Sequence, residues 1–238
     1  MQSNLDSSFK NFVYGFTTPI RAITLCVSRP KLLALSSLPF VITLLAVGGA
    51  IYGILSGAWH FHDQVFAWAG SYSLAASKVA LFFLGAILLY VSFQTTGLLI
   101  SLLSSPFNDF LAEATERNLG APPIETTWLS LLRVFFLDLR KTAIALFGLL
   151  FFSVLGLVPA IGFFSIFGFA LIEAFTFVTY PQSRRHHGIL QSLIWMKNNF
   201  AVSLGFGFAT LLLFGVPPFS LIAVPVSVIG GTMIFLGR

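Results

Sequence analysis

The sequence predicts an all-α integral membrane protein that forms a single membrane domain over residues 1–238. Hydrophobic residues make up 57% of the 238 positions and charged residues only 9%, whereas roughly a quarter of the residues in a soluble domain are charged. Because about 20 apolar residues suffice to cross a bilayer, we expect two long transmembrane helices and two proline-broken helical hairpins, together with amphipathic interfacial helices. The stretches without acidic, basic or histidine residues are 32–59, 79–108, 142–172 and 198–237.

Residues 1–31 predict an amphipathic N-terminal helix that lies at the membrane interface. Its apolar residues recur at helical spacing, whereas Asp6, Lys10 and Arg21 fall off that stripe. Pro19 is expected to kink the helix. The stripe comprises Leu5, Phe9, Phe12, Phe16, Ile20, Ile23 and Val27.

The two predicted transmembrane helices and the outer loop between them occupy residues 32–108. Cytoplasmic helices are expected within 109–141, and Ser105 and Pro106 are a suitable N-cap and first residue for the earlier of them. Three acidic residues share one face of that helix, where we expect them to be solvated or paired with Arg117. These residues are Asp109, Glu113 and Glu116.

The stretches 142–180 and 199–238 predict two helical hairpins, because each is broken near its middle by proline and glycine. The first breaks at Pro159 and the second at Pro217. At 1.5 Å per residue the arms reach roughly 24–27 Å, so the hairpins either cross the bilayer or enter it and return on the same side. Residues 181–198 between them form a basic cytoplasmic stretch.

The basic residues predict the orientation of the chain. All of them except Lys78 lie on one side of the membrane if both hairpins return to that side, and positive charge marks the cytoplasmic side. Both termini are therefore expected in the cytoplasm. The net charge of +5 implies the lipid bilayer, and not nucleic acid, as a partner.

The turns of the two hairpins are candidate anion-binding sites. The second arm of each hairpin begins with backbone N–H groups that have no helical partner and carry the positive end of the helix dipole. The alternative is that the turns pack against other helices, and this argument alone favours that alternative. The candidate residues are Ala160, Ile161, Gly162, Pro218 and Phe219.

Few other residues carry a chemical signal. Glu173 is the one acid well inside an apolar stretch; it either faces a cavity or lies near the interface and pairs with a base such as Arg184. His60 and His62 lack further ligands, and no protease, hydrolase or nucleotide-binding motif occurs. We therefore expect no metal, no other cofactor and no enzyme. A basic interfacial patch is expected at Arg184, Arg185, His186 and His187.

Two motifs resemble those of the CysZ sulfate permeases, which are grouped with the etoposide-induced membrane proteins. The first is a Pro-Phe-Asn signature that runs on into Leu-Ala-Glu directly after the second predicted span, and the second is a Tyr-Pro pair at the end of the first hairpin. The order of elements is similar over nearly the whole chain. The motif residues are Ser105, Pro106, Phe107, Asn108, Asp109, Leu111, Ala112, Glu113, Glu116, Tyr180 and Pro181.

This resemblance implies a homo-oligomeric protein of the bacterial inner membrane that passes sulfate into the cytoplasm for cysteine synthesis without ATP hydrolysis. It also implies hairpins that penetrate the bilayer only partly. A sulfate permease or channel is therefore the expected function. The alternatives are a membrane scaffold, as the wider group permits, and a transporter of another small anion.

The chain departs from the family pattern where relatives carry an arginine pair tied to sulfate binding. Leu33 and Ala34 occupy those positions here. Arg29 and Lys31 lie close by, and we expect them to recruit the anion at the cytoplasmic mouth. Because fewer basic side chains remain, the path is expected to rely more on backbone N–H groups.

Overall fold

The computed structural model describes residues 2–37, 107–122, 124, 128–156 and 159–238, together with 41, 44–45, 48–49, 52–53 and 56. Within these ranges the regular structure is helical and no strand occurs. The chain divides into two units, Met1–Phe40 with Ser104–Arg238, and Val41–Leu103. In the second unit the described residues are helical; most of the two predicted long helices and the outer loop lie outside the described residues.

The helices of the first unit begin and end close to the positions where the sequence predicts helix breaks. One hairpin is broken at Pro159, the first residue of its second arm, and the other at Val216, directly before Pro217. The helices are α1 (Gln2–Ser28), α2 (30–37), α3 (107–118), α4 (Trp128–Gly156), α5 (Pro159–Arg184), α6 (Ile189–Asn198), α7 (Phe200–Gly215) and α8 (Pro217–Leu236).

Helix α1 is a continuous helix through Pro19, and one of its faces is packed directly against α7. A Cβ atom added to Gly15 would lie 2.1 Å from the carbonyl oxygen of Val202, and one added to Gly205 would lie 2.1 Å from that of Phe12. The two backbones therefore touch, and only glycine fits at the crossing. The other face of α1 is apolar and exposed, so the predicted stripe divides between a helix contact and the surface.

Helix α4 differs from the expected boundaries. The sequence suggests an interfacial helix that ends at Lys141 and a separate hairpin arm that begins at Thr142, but a single helix runs from Trp128 to Gly156. The reason is local, because no proline or glycine stands near the junction of the two segments. The change from amphipathic to apolar sequence thus alters the surroundings of the helix without ending it.

Helix α5 continues through Pro181 to Arg184. Proline has no N–H group, so the carbonyl of Phe177, four residues earlier, loses its usual helical partner. Gly231 of α8 packs at this carbonyl, since a Cβ atom at Gly231 would lie 2.6 Å from its oxygen. The absence of a side chain at Gly231 lets α8 approach the Tyr-Pro motif.

The helices fit a membrane protein. Among the described residues, Gly162–Arg184 is the one single helix that is long and apolar enough to cross a bilayer. The pair Ile189–Asn198 and Phe200–Gly215 meets the same requirement when counted together, with a bend of 98° between its members. Helix α7 alone has 16 residues, which span about 24 Å, less than the ~30 Å hydrocarbon core.

Candidate functional site

The two sequence motifs meet where α3 packs on the C-terminal end of α5. Leu111 and Ala112 of α3 are completely buried. Beside them, the side-chain amide of Asn108 donates a hydrogen bond to the Tyr180 hydroxyl over 3.1 Å, across 72 positions of sequence. The Pro-Phe-Asn and Tyr-Pro segments therefore form one structural unit.

An ion-pair cluster extends this contact by one to two helical turns. The guanidinium of Arg184 lies 3.2 Å from the Asp109 carboxylate, 3.1 Å from that of Glu113 and 3.7 Å from that of Glu116. Arg185 lies 3.4 Å from the second Glu116 oxygen. We call these five residues the Arg184 cluster. Only 2% of the Arg184 side chain is exposed, so the centre of the cluster is buried inside the protein.

Burial dominates the electrostatics of the carboxylates. The pKa of Asp109 is raised from 3.8 to about 6 by loss of water, although the Arg184 charge opposes the rise. The pKa of Glu116 is also raised by burial, against the attraction of Arg185 and then Arg184. A carboxylate held tightly by an arginine would have a lowered pKa. The two arginines therefore offset the burial penalty of these acids only in part.

The outer edge of the cluster is more exposed. Glu113 also pairs with Arg117, one turn later on α3, whose side chain is 57% exposed. In the loop between α5 and α6, the pKa of His187 is lowered, chiefly by burial and then by the nearby positive charges of Lys141 and Arg185. The predicted basic patch is therefore divided, since Arg184 is buried within the protein whereas His186 is exposed.

A second polar group lies beside the Arg184 cluster, between α4 and α5. The Lys141 ammonium is 2% exposed and donates to the Ser183 hydroxyl over 2.9 Å. Asp138 is also buried, and one of its carboxylate oxygens has no hydrogen-bond partner. Both line a cavity just large enough for about one water molecule, and Tyr180 lines the same cavity.

The residues expected to recruit an anion lie elsewhere. Arg29 and Lys31 are exposed at the junction of α1 and α2, and neither makes an ion pair with another described residue. Arg29 also shapes the junction, since its N–H donates to the Cys26 carbonyl and its own carbonyl accepts from the Leu33 N–H. Leu33 and Ala34 are exposed on α2.

The hairpin turns offer few free donors. Pro218 has no N–H group, and the Phe219 N–H donates to the Val216 carbonyl over 2.9 Å, so neither residue presents a backbone donor to an anion. Gly162 lies against the preceding arm, because a Cβ atom there would be 2.7 Å from the Gly156 carbonyl oxygen. The side chains of Ala160 and Ile161 are outside the described residues, as are Ser105 and Pro106.

Glu173 is half-buried on α5 and makes no hydrogen bond or ion pair with any described residue. The pairing with Arg184 considered from the sequence does not form, because Arg184 contacts the acids of α3 instead. That interaction joins positions 75 residues apart and was not predicted. The sequence contains one indication of this pairing. Asp109, Leu111 and Ala112 are neighbours on a single short helix. Because apolar residues on a helix are usually buried, charged residues beside them need a buried partner.

Comparison with known proteins agrees with the resemblance carried by the two sequence motifs. The family model described as sulfate transporter CysZ/etoposide-induced protein 2.4 matches residues 18–225. Proteins named sulfate transporter CysZ from two strains of Pseudomonas aeruginosa and from Pseudomonas paraeruginosa are each 28% identical to this chain over 163 residues. The matched part covers 63% of this chain and 65% of each relative, which is less than two thirds of their length.

Proposed function

The chain belongs to the sulfate transporter CysZ/etoposide-induced protein 2.4 family, and we propose on this premise that it carries sulfate across the bacterial inner membrane into the cytoplasm. The relatives named above are sulfate transporters. The observation in this chain that supports anion transport best is the Arg184 cluster, which holds two adjacent guanidinium groups at the C-terminal end of α5, a helix that is long and apolar enough to cross a bilayer. Supply of sulfate for cysteine synthesis is the corresponding cellular role.

The proposed mechanism is passive permeation through a channel-like path, without covalent chemistry or ATP hydrolysis. Sulfate is a strongly hydrated dianion, so each water that it loses must be replaced by a hydrogen-bond donor of the protein. Arg29 and Lys31 are exposed and would attract the anion at the cytoplasmic mouth through long-range charge. Guanidinium, hydroxyl and backbone donors would then substitute for its water shell.

The membrane arrangement belongs to the same proposal. Two long transmembrane helices within 32–108 cross the bilayer, and the α4–α5 and α7–α8 hairpins penetrate it from the cytoplasmic side. The short reach of α7, about 24 Å for its 16 residues, supports partial penetration. Both termini lie in the cytoplasm, and the working form is a homo-oligomer in which the hairpins of neighbouring subunits complete the path.

Uptake of radiolabelled sulfate into proteoliposomes tests this function. Sulfate flux above that of empty liposomes, reduced by excess unlabelled sulfate but not by chloride, is the expected result. The double substitution Arg29→Ala and Lys31→Ala should lower the initial rate at low ionic strength and have less effect at high salt. Absence of flux from folded, inserted protein would reject sulfate transport and favour another small anion or the scaffold role.

A further inference from the structure

The Arg184 cluster contains buried donors and acceptors that are poorly aligned with one another, since Oδ1 of Asp109 and Oε1 of Glu116 also lack hydrogen bonds. The Nε atom of Arg184 and the Nε and Nη2 atoms of Arg185 are buried, and none of them makes a hydrogen bond. Their distances to Glu116, 3.7 and 3.4 Å, exceed the usual length of a hydrogen bond from nitrogen to oxygen. Buried donors in native proteins nearly always have a partner, so these three nitrogen atoms can bind an acceptor that offers better geometry than Glu116 does.

The carboxylates that surround the arginines do not satisfy them. Each carboxylate has two oxygens, and Glu113 divides its own between Arg184 and Arg117. The acids are also crowded, since Asp109, Glu113 and Glu116 all face the single buried guanidinium of Arg184. Like charges held together in this way repel one another, which weakens the hold of each on the arginine.

We propose that Arg184 and Arg185 bind a tetrahedral oxyanion, and that Glu116 is an internal competitor which the anion displaces. This inference rests on the proposed function, in which the oxyanion is sulfate. Sulfate carries its full charge at neutral pH and offers four oxygens, so it can accept from two guanidinium forks at once, as a single carboxylate cannot. Displacement of Glu116 loosens the contact between α3 and α5.

Access to this site is through Arg185. Its side chain is 25% exposed, whereas that of Arg184 is 2% exposed, so an anion from the cytoplasm meets Arg185 first. The guanidinium of Arg185 also lies 6.0 Å from the centre of the Phe235 ring of α8. The adjacent arginine then extends the site inward along α5.

Equilibrium binding of radiolabelled sulfate to the purified full chain in zwitterionic lipid nanodiscs tests the proposal without requiring transport. Arg185→Gln removes one guanidinium and should raise the Kd about tenfold or more, as expected for charge-assisted hydrogen bonds. Glu116→Gln removes the competitor and should lower the Kd severalfold. Arg117→Gln is the matched control on α3; among the described residues the side chain of this exposed arginine forms an ion pair with Glu113 alone, and the Kd of the variant should stay within about twofold of that of the unaltered chain.

The decisive feature is that the first two substitutions should change the Kd in opposite directions. A purely structural ion-pair cluster predicts no such opposite changes in the Kd, and a Kd raised by Glu116→Gln, or left unchanged by Arg185→Gln, would overturn the proposal. If size-exclusion chromatography shows that Glu116→Gln does not fold, Glu113→Gln relieves the same crowding at Arg184 and should also lower the Kd. Sulfate flux with binding indifferent to Arg185 would reject this site and leave transport standing, whereas Arg185-dependent binding without flux would support the site and reject transport.

Discussion

Substitution of Arg184 by glutamine should destabilise the folded protein more than any other single change of charge on α3 or α5. The side chain is 2% exposed and lies 3.2 Å from Asp109 and 3.1 Å from Glu113. Its loss leaves buried carboxylates without their principal counter-charge. Removal of one partner from a buried ion pair costs about 3–5 kcal/mol, and at roughly 2–4 °C per kcal/mol for a chain of this size the thermal midpoint should fall by about 6–20 °C.

The single cysteine gives a direct assay. Cys26 is 7% exposed on α1, and its Sγ atom lies 3.3 Å from the Ser36 hydroxyl. A fluorescent maleimide therefore reacts when the bundle opens, and labelling against temperature in mild detergent gives the midpoint. Because Cys26 is remote in sequence from α3 and α5, its labelling reports unfolding of the bundle and not local loosening of the cluster.

A second substitution separates charge from packing. If uncompensated carboxylates cause the loss, then Asp109→Asn combined with Arg184→Gln should be more stable than Arg184→Gln alone, since one buried charge fewer remains. A midpoint for Arg184→Gln within about 2 °C of the unaltered chain, equivalent to less than about 1 kcal/mol, would refute the reasoning. A double variant less stable than the single one would refute it as well.

Three further predictions concern packing, pH and the motif contact. Gly207→Val should abolish the monodisperse peak in size-exclusion chromatography, because its Cβ would lie 1.7 Å from a carbonyl oxygen of α5, whereas Gly215→Ala, with nothing within 4 Å, should behave like the unaltered chain. Since the pKa of Asp109 is raised from 3.8 to about 6, the folded state binds this proton more tightly than the unfolded state. Stability should therefore increase as pH falls from about 6 to about 4, by up to about 3 kcal/mol, and Asp109→Asn should flatten that slope in thermal midpoints measured across the range. Tyr180→Phe removes the acceptor of the Asn108 amide and should lower the midpoint by the equivalent of about 1–3 kcal/mol; an unchanged midpoint would mean that water replaces the hydroxyl.

Much of the helical organisation follows from apolar length and from proline. Pro159 and Pro217 open the second arms of the two hairpins as expected, because proline fits the first helical turn and cannot continue the preceding helix. The position of α1 could not be predicted in the same way. Its apolar stripe indicates a helix, but the close crossing depends on Gly15 meeting Gly205, and a glycine in sequence does not say which distant glycine lies opposite.

The candidate site was less accessible to sequence reasoning. The motif residues on α3 were recognised, and their partner at Tyr180 belongs to the second motif, yet the sequence does not say that the two touch. The pairing of Asp109 with Arg184 spans 75 positions, and local spacing instead favours Arg117, which does pair with Glu113. Local patterns specify neighbours on one helix, whereas this cluster is created by the docking of two helices.

The charge of the cluster is better explained by function than by docking alone. Leu111 and Ala112 already give α3 a fully buried apolar contact, and well-packed apolar side chains generally stabilise an interior at least as well as buried ion pairs. The pKa values of Asp109 and Glu116 stay raised, so the arginines offset the burial of these acids only in part. A buried polar cluster with perturbed pKa values at the end of a long apolar helix is typical of functional sites. If docking were its only purpose, neutralising Glu116 would leave anion binding unchanged; if the arginines exchange a carboxylate for sulfate, the same change strengthens anion binding, and the response of the sulfate Kd decides between the two explanations.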